Sequence, residues 1–491
     1  MKKLSMLFIV ILSISIIPIG YVEAEVSDIN EERIYNIFID RFNNGNHSIT
    51  EQVNIDDPYA YHGGDLEGIT LKLDDIQQLG FTTISLSPIF ANAPNGYHGY
   101  WVEDFFEVEE QFGTMEDLQN LVEEAHARDM KVILEFVTNY VSTSHRMVTD
   151  EWIVEDAAAS DEREAWLDDV VILDQANSEV QEYLLEAAEF WMEEANIDGY
   201  KLHAANQTSA EFLTTFTAYI KELNPNFYLI ADLLHDEQAD HVYTEPNIDA
   251  VENLAMYEAL TDVFAEPDQA VSTIYDIWET TNDKKGLLFV DDPFMERFTQ
   301  TFSENGRNAL TTWKLALTYM YTTPGIPILF QGSEIPMYGD FPENQRLVDF
   351  NSGEADLKEF YTRISSLHEE FLPLQYGDFE LVGTDRGMSV FRRSYEGETM
   401  YIAINNDSES RAVSITDLDE GMQLRGLLGD NIVRQLDNGE YKIGIARETA
   451  EVFIIEENTG LNWVFIAPIA AVLVIFVAGI IYLSRKQKKQ S

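Results

Sequence analysis

A chain of 491 residues with 45% hydrophobic and 12% aromatic side chains can bury a large core, which excludes an intrinsically disordered chain and fits two or three domains. A formal net charge of −56 at pH 7 disfavours nucleic acid and anionic surfaces as partners; it reads as a solvated acidic exterior, with a docking face for a cationic partner as the competing reading. No cysteine is present, so no disulfide braces the fold and packing must stabilise it.

In chain order, Met1-Lys2-Lys3, the apolar run Leu4 to Ile19 and Val22-Glu23-Ala24 predict a secretory signal peptide over residues 1–24, with a retained N-terminal anchor as the alternative. Residues 25–372 then alternate strand and helix. Ile34 to Phe42 is β-rich, the amphipathic stretch Ile69 to Leu79 predicts a helix ended by Gly80, and Thr82 to Ile89 predicts a buried strand. The pattern continues with helix Leu118 to Asp129, strand Lys131 to Val137, helix Val180 to Asn196, strand Gly199 to Ala204, helix Ser209 to Leu223 and strand Phe227 to Leu233. Strands Ile248 to Glu252 and Gly286 to Asp291, helix Arg307 to Thr322 and strand Ile326 to Phe330 complete it. Eight strands spaced by helices predict a parallel (β/α)8 barrel with right-handed crossovers, interrupted by a polar excursion over about 140–173.

From 373 to 457 the period changes to two, as in Met400-Tyr401-Ile402-Ala403-Ile404, which predicts an all-β module, a sandwich. Residues 463–483 are apolar and precede the basic tail 484–491, which predicts one C-terminal transmembrane helix; a buried core helix is the alternative. The expected location is therefore the cell membrane, single-pass, with the ectodomain outside and the C-terminus cytoplasmic.

Three sets of residues carry a family likeness. They are Asp198-Gly199-Tyr200-Lys201-Leu202-His203, the loop Gly96-Tyr97-His98-Gly99-Tyr100-Trp101 with Asp104-Phe105-Phe106, and Thr323-Pro324-Gly325-Ile326-Pro327 with Gly332-Ser333-Glu334. Together they resemble the α-amylase family of glycoside hydrolases. The resemblance implies a (β/α)8 barrel with a short protruding domain after strand three and a C-terminal β-sandwich. It places His203 where the family has its nucleophilic Asp, Asp232 where it has the general-acid Glu, and Phe294 at the third acid.

An imidazole cannot supply the negative charge that an oxocarbenium-like transition state needs, and Phe294 cannot hydrogen-bond a sugar. These departures lead to the expectation of a pseudoenzyme: an ectodomain that binds α-glucan or maltodextrin without cleaving it, or supports a membrane protein partner. The alternative is an active α-glucan hydrolase or transglycosylase using displaced carboxylates, drawn from Asp232, Asp291, Asp292 and Glu135. His98, Tyr100 and Trp101 are the implied substrate-binding residues, a glucan platform or else rings that pack the loop. No cofactor is required. The implied calcium site retains Asn139 but has Ile172 in place of an acid and Gln207 at the carbonyl ligand, so Asn139 as a loop cap is the competing reading.

Overall fold

The computed structural model describes residues 28–488 apart from 50–51, 155–168, 235–238, 282–285, 342–345 and 459–462. The signal-peptide expectation over 1–24 therefore lies outside the described residues. Eight short runs rich in β-branched and aromatic side chains form the barrel strands β1 Ile34–Ile37, β2 Thr83–Leu86, β3 Lys131–Val137 and β4 Gly199–His203, then β5 Tyr228–Ala231, β6 Ala250–Glu252, β7 Gly286–Leu288 and β8 Ile326–Phe330. Each pairs in parallel with the next, and β8 pairs with β1 to close the barrel.

Alternation along each strand divides the side chains between two layers. Ile34, Ile133, Tyr228, Ile230, Leu287, Ile326 and Ile328 form one interior cluster, whereas Val132, Leu134, Phe136, Tyr200 and Leu202 pack outward against the helices. The same alternation turns Glu135, Lys201 and His203 away from the helix layer, and the β3–β4 register sets Glu135 opposite Lys201. Close approach of β4 to its neighbours needs a glycine: a Cβ on Gly199 would lie 2.8 Å from Tyr228 and 3.0 Å from Ile133. At the opposite end of the barrel, the Glu32 carboxylate accepts hydrogen bonds from Thr82, Thr83 and Tyr228 and pairs with Lys131.

Local signals explain where elements start and stop. Helix Met115–His126 opens with a capping box between Thr114 and Asp117, and helix Ser178–Ala195 ends at Asn196 in the left-handed region, φ 53°. Strand β1 stops before the expected Phe42 because Ile39–Arg41 turns into a 3₁₀ helix, whose Asp40 carboxylate accepts from the backbone of His62 and Gly63. The single helix expected over Ile69 to Leu79 is two, Leu66–Thr70 and Leu73–Gln78, with the first capped by Asp65. The helix expected from Arg307 begins at Ala309, capped by Asn308. After β3, Tyr140–Ser142 and Val170–Ile172 pair as a two-stranded antiparallel sheet.

The C-terminal module is a six-stranded antiparallel sheet facing a two-stranded one, Arg411–Ile415 with Tyr441–Ile445. Met388, Val390, Tyr401, Val413, Ile443 and Phe453 fill the space between them. Phe379 and Phe391 pack on Tyr275, Trp278 and Tyr319 of the barrel helices, and Asn406 donates to the carbonyls of Val263, Glu266 and Gln269.

The expected bilayer span requires correction. Trp463–Lys488 is helical, but among the described residues no helix is long and apolar enough to cross a membrane. The single-pass cell-membrane placement rested on that span and is withdrawn with it.

Candidate active site

Four charged side chains meet at the C-terminal ends of β3, β4 and β5, the face at which barrels of this kind carry their chemistry. Lys201 Nζ lies 3.1 Å from Glu135 Oε2 and 3.2 Å from Asp232 Oδ2. His203 Nδ1 lies 3.0 Å from Glu135 Oε1 and 3.2 Å from Asp232 Oδ2. Two cations thus face two carboxylates with all four side chains buried, which satisfies charges that would each be costly to bury alone. The backbone joins in: Ala204, in the left-handed region at φ 48°, donates its N–H to Asp232 Oδ1, and Asn139 Nδ2 holds the Ala204 carbonyl at 3.0 Å.

Burial and charge pull the proton affinities of these groups apart. Burial works against the His203 imidazolium, but Asp232 and Glu135 outweigh it and push its pKa up to about 10. Burial likewise opposes the Lys201 ammonium, and Glu135, Asp232 and Glu252 reverse the effect, holding it above its ordinary value. Asp232 is driven the other way: burial would raise it, yet His203 and Lys201 hold it well below the usual carboxylate range, so it stays ionised.

Beside this quartet opens a cavity of about 250 Å3 whose walls include Lys201, His203, Asp232, Glu252, Tyr257 and Asp292. Burial and the neighbouring Asp232 raise the Glu252 carboxyl well above its ordinary value, against the opposing charge of Lys201. Asp292 is raised to about 6, chiefly by burial; its Oδ1 accepts from Phe294 N at 2.6 Å. One cavity therefore holds a carboxylate fixed in its ionised form and two carboxyl groups that bind protons more tightly, the division of labour that acid–base chemistry at a sugar requires.

The residues singled out in the sequence fall into two groups. Asp232, His203 and Phe294 line the cavity, and Phe294 contacts Phe38, Tyr100 and Phe341 edge-on or tilted. His98 and Tyr100 lie behind it, 4% and 1% exposed. His98 Nδ1 accepts from Tyr100 N, and burial pulls its pKa down to about 3, leaving the ring neutral. The Tyr100 hydroxyl donates to Glu135 at 2.5 Å, and its ring packs 4.5 Å from His203, while the half-buried Trp101 meets His98 edge-on. These rings brace the charged quartet. Asp291 also turns from the cavity, accepting from Phe298 N near Arg297. Glu252 and Tyr257, which sequence reasoning passed over, form part of the wall; the position of Glu252 at the C-terminal end of a barrel strand was the signal that could have found it.

Glu135, His203 and Asp232 offer ligand atoms within 4.8 Å of one another. A metal would need a neutral imidazole and free carboxylates, but His203 is held protonated and Lys201 already bridges both acids, so the set fits a built-in cation. At the positions matched to calcium ligands, Asn139 Oδ1 is buried without a partner, yet Ile172 contributes only an apolar side chain. With the Gln207 backbone carbonyl this makes two neutral oxygens at the matched positions, short of the six to eight oxygen ligands that calcium takes.

The model for "Alpha amylase, catalytic domain" matches residues 36–166 and 164–370, and that for "Alpha-amylase C-terminal domain" matches 377–453. Among solved structures, an Anoxybacillus alpha-amylase is 38% identical at a TM-score of 0.83, covering 89% of this chain and 100% of that one. An alpha-amylase from Geobacillus thermoleovorans, complexed with acarbose, is also 38% identical at a TM-score of 0.81, covering 88% and 100%. A cyclomaltodextrinase from Thermoanaerobacter pseudethanolicus is 27% identical over 79% of this chain and 72% of its own length. These similarities correct the non-catalytic reading. The relatives are named as an alpha-amylase and a cyclomaltodextrinase, and the mouth of this barrel holds a cavity walled by carboxyl groups.

Proposed function

Because the chain belongs to the α-amylase family, we propose that it is an active α-glucan hydrolase or transglycosylase whose working carboxyl groups are Asp232 and Asp292. The observation that carries this reading is their joint presence in one cavity with proton affinities pushed in opposite directions. The strand-four position, His203, takes no proton from the substrate and serves with Lys201 to keep Asp232 ionised.

Asp292 gives its proton to the glycosidic oxygen as the bond to the anomeric carbon breaks and the electron pair leaves with that oxygen. Asp232 stabilises the positive charge that develops on the sugar. Water, or the hydroxyl of a second glucan, then adds to the anomeric carbon and returns a proton to Asp292. The α-glucan class is supported by the names of the relatives, the acarbose complex among them. His98, Tyr100 and Trp101 are assigned to holding the quartet in place, and Asn139 to clamping the end of β4.

The test is the pH dependence of kcat/KM on maltoheptaose. Asp292 must be protonated to act, so the rate falls as the pH rises through about 6. Asp292→Asn lowers kcat/KM by roughly 10²–10⁴. A rate that is flat through pH 6, or unchanged in the variant, contradicts the assignment.

A further inference from the structure

Strand β6 enters the cavity with a carboxyl group and an aromatic ring that the proton-transfer scheme does not use. Glu252 closes the strand at 6% exposure, and Tyr257 follows on helix Leu254–Ala265, half-buried; both line the cavity. The Tyr257 ring stacks on Phe289 at 5.1 Å with an interplanar angle of 13°. Because Phe289 belongs to the barrel interior, Tyr257 is a plate fixed before any ligand arrives. Among the described residues the Glu252 carboxyl accepts one hydrogen bond, from Leu233 N to Oε2, which is long at 3.3 Å and leaves bonding capacity on the group.

We propose that Glu252 and Tyr257 form a sugar subsite, in which the phenol ring stacks on a pyranose face and the carboxyl group holds its hydroxyls. The inference rests on the α-glucan reading above and names the wall that binds the substrate. A ring face matches the C–H surface of a glucose unit, and a carboxyl that keeps its proton both donates and accepts, as a sugar hydroxyl does. Glu252 keeps that proton because it is buried next to Asp232 and Asp292.

The experiment uses the full chain with maltotriose as the probe in calorimetric titration, and maltoheptaose for kcat/KM. Tyr257→Ala weakens maltotriose binding about tenfold while Tyr257→Phe stays within about twofold, since the ring and not the hydroxyl does the stacking. Glu252→Ala weakens it similarly, whereas Glu252→Gln, a neutral group of the same shape, retains most of the affinity. Should Tyr257→Ala fail to fold, Tyr257→Leu keeps a branched apolar side chain without a ring and is expected to lose binding equally. Wild-type binding and cleavage with undiminished affinity in the Ala and Leu variants overturns the subsite and leaves the proposed function standing. Loss of affinity in Glu252→Gln equal to that in Glu252→Ala also overturns it. A wild-type chain that neither binds maltotriose nor cleaves maltoheptaose overturns the proposed function and the subsite with it.

Discussion

His203 shows how one side chain at the end of a strand changes the electrostatics of a barrel mouth. Its folded pKa, about 10, lies above the roughly 6.5 of a free imidazole. A group raised in this way adds stability that is complete below about pH 6.5 and is lost as the pH rises through about 10. Urea unfolding across that window is therefore expected to show stability declining with pH, and His203→Gln is expected to flatten the slope; an unchanged slope contradicts the buried imidazolium. His203, Asp232 and Phe294, each located in the sequence by the likeness of its own strand end, all line the cavity. The sequence could not show that Lys201 would bridge Glu135 and Asp232, since that contact depends on the register between β3, β4 and β5. Nor could it show that His98 and Tyr100 would turn into the core, because an aromatic loop residue reads alike whether it faces a ligand or a neighbouring ring.

Among the elements, strands were legible and helix boundaries less so. Strands β4 and β8 fall where alternation and turn signals put them, whereas Leu66–Thr70 and Leu73–Gln78 divide a stretch whose periodicity reads as one helix. The break lies at Lys72, whose backbone has ψ 0°, a local choice that hydrophobic spacing does not encode. Where capping chemistry is present it is decisive. The Thr114 hydroxyl and the Asp117 carboxylate satisfy each other's backbone N–H groups at the start of helix Met115–His126. Thr114→Ala is expected to cost ~1 kcal/mol in urea unfolding, with Thr114→Asn close to wild type. Equal losses in the two variants contradict the cap.

For the molecule as a whole, a net charge of −56 carried on a fold without disulfides sets self-repulsion against a large core. Salt shortens the Debye length from ~30 Å at 0.01 M to ~3 Å at 1 M, so Tm is expected to rise with sodium chloride over that range. A falling Tm would mean that surface ion pairs, not repulsion, dominate. Barrel and sandwich are packed together through Phe379, Phe391 and Asn406, so the catalytic face opens on a braced scaffold. That scaffold belongs to a family of glycosidases, and the proposed cleavage of α-glucans, with carboxyl groups displaced from the strand-four position, is a property of the whole chain. The most direct measurement is a day-long incubation of the full chain with maltoheptaose, alongside Asp232→Asn, with products resolved by length. Shortened or transferred products are expected from the wild type, and their loss in Asp232→Asn. Intact maltoheptaose in both samples, or equal cleavage in both, would contradict the proposed function.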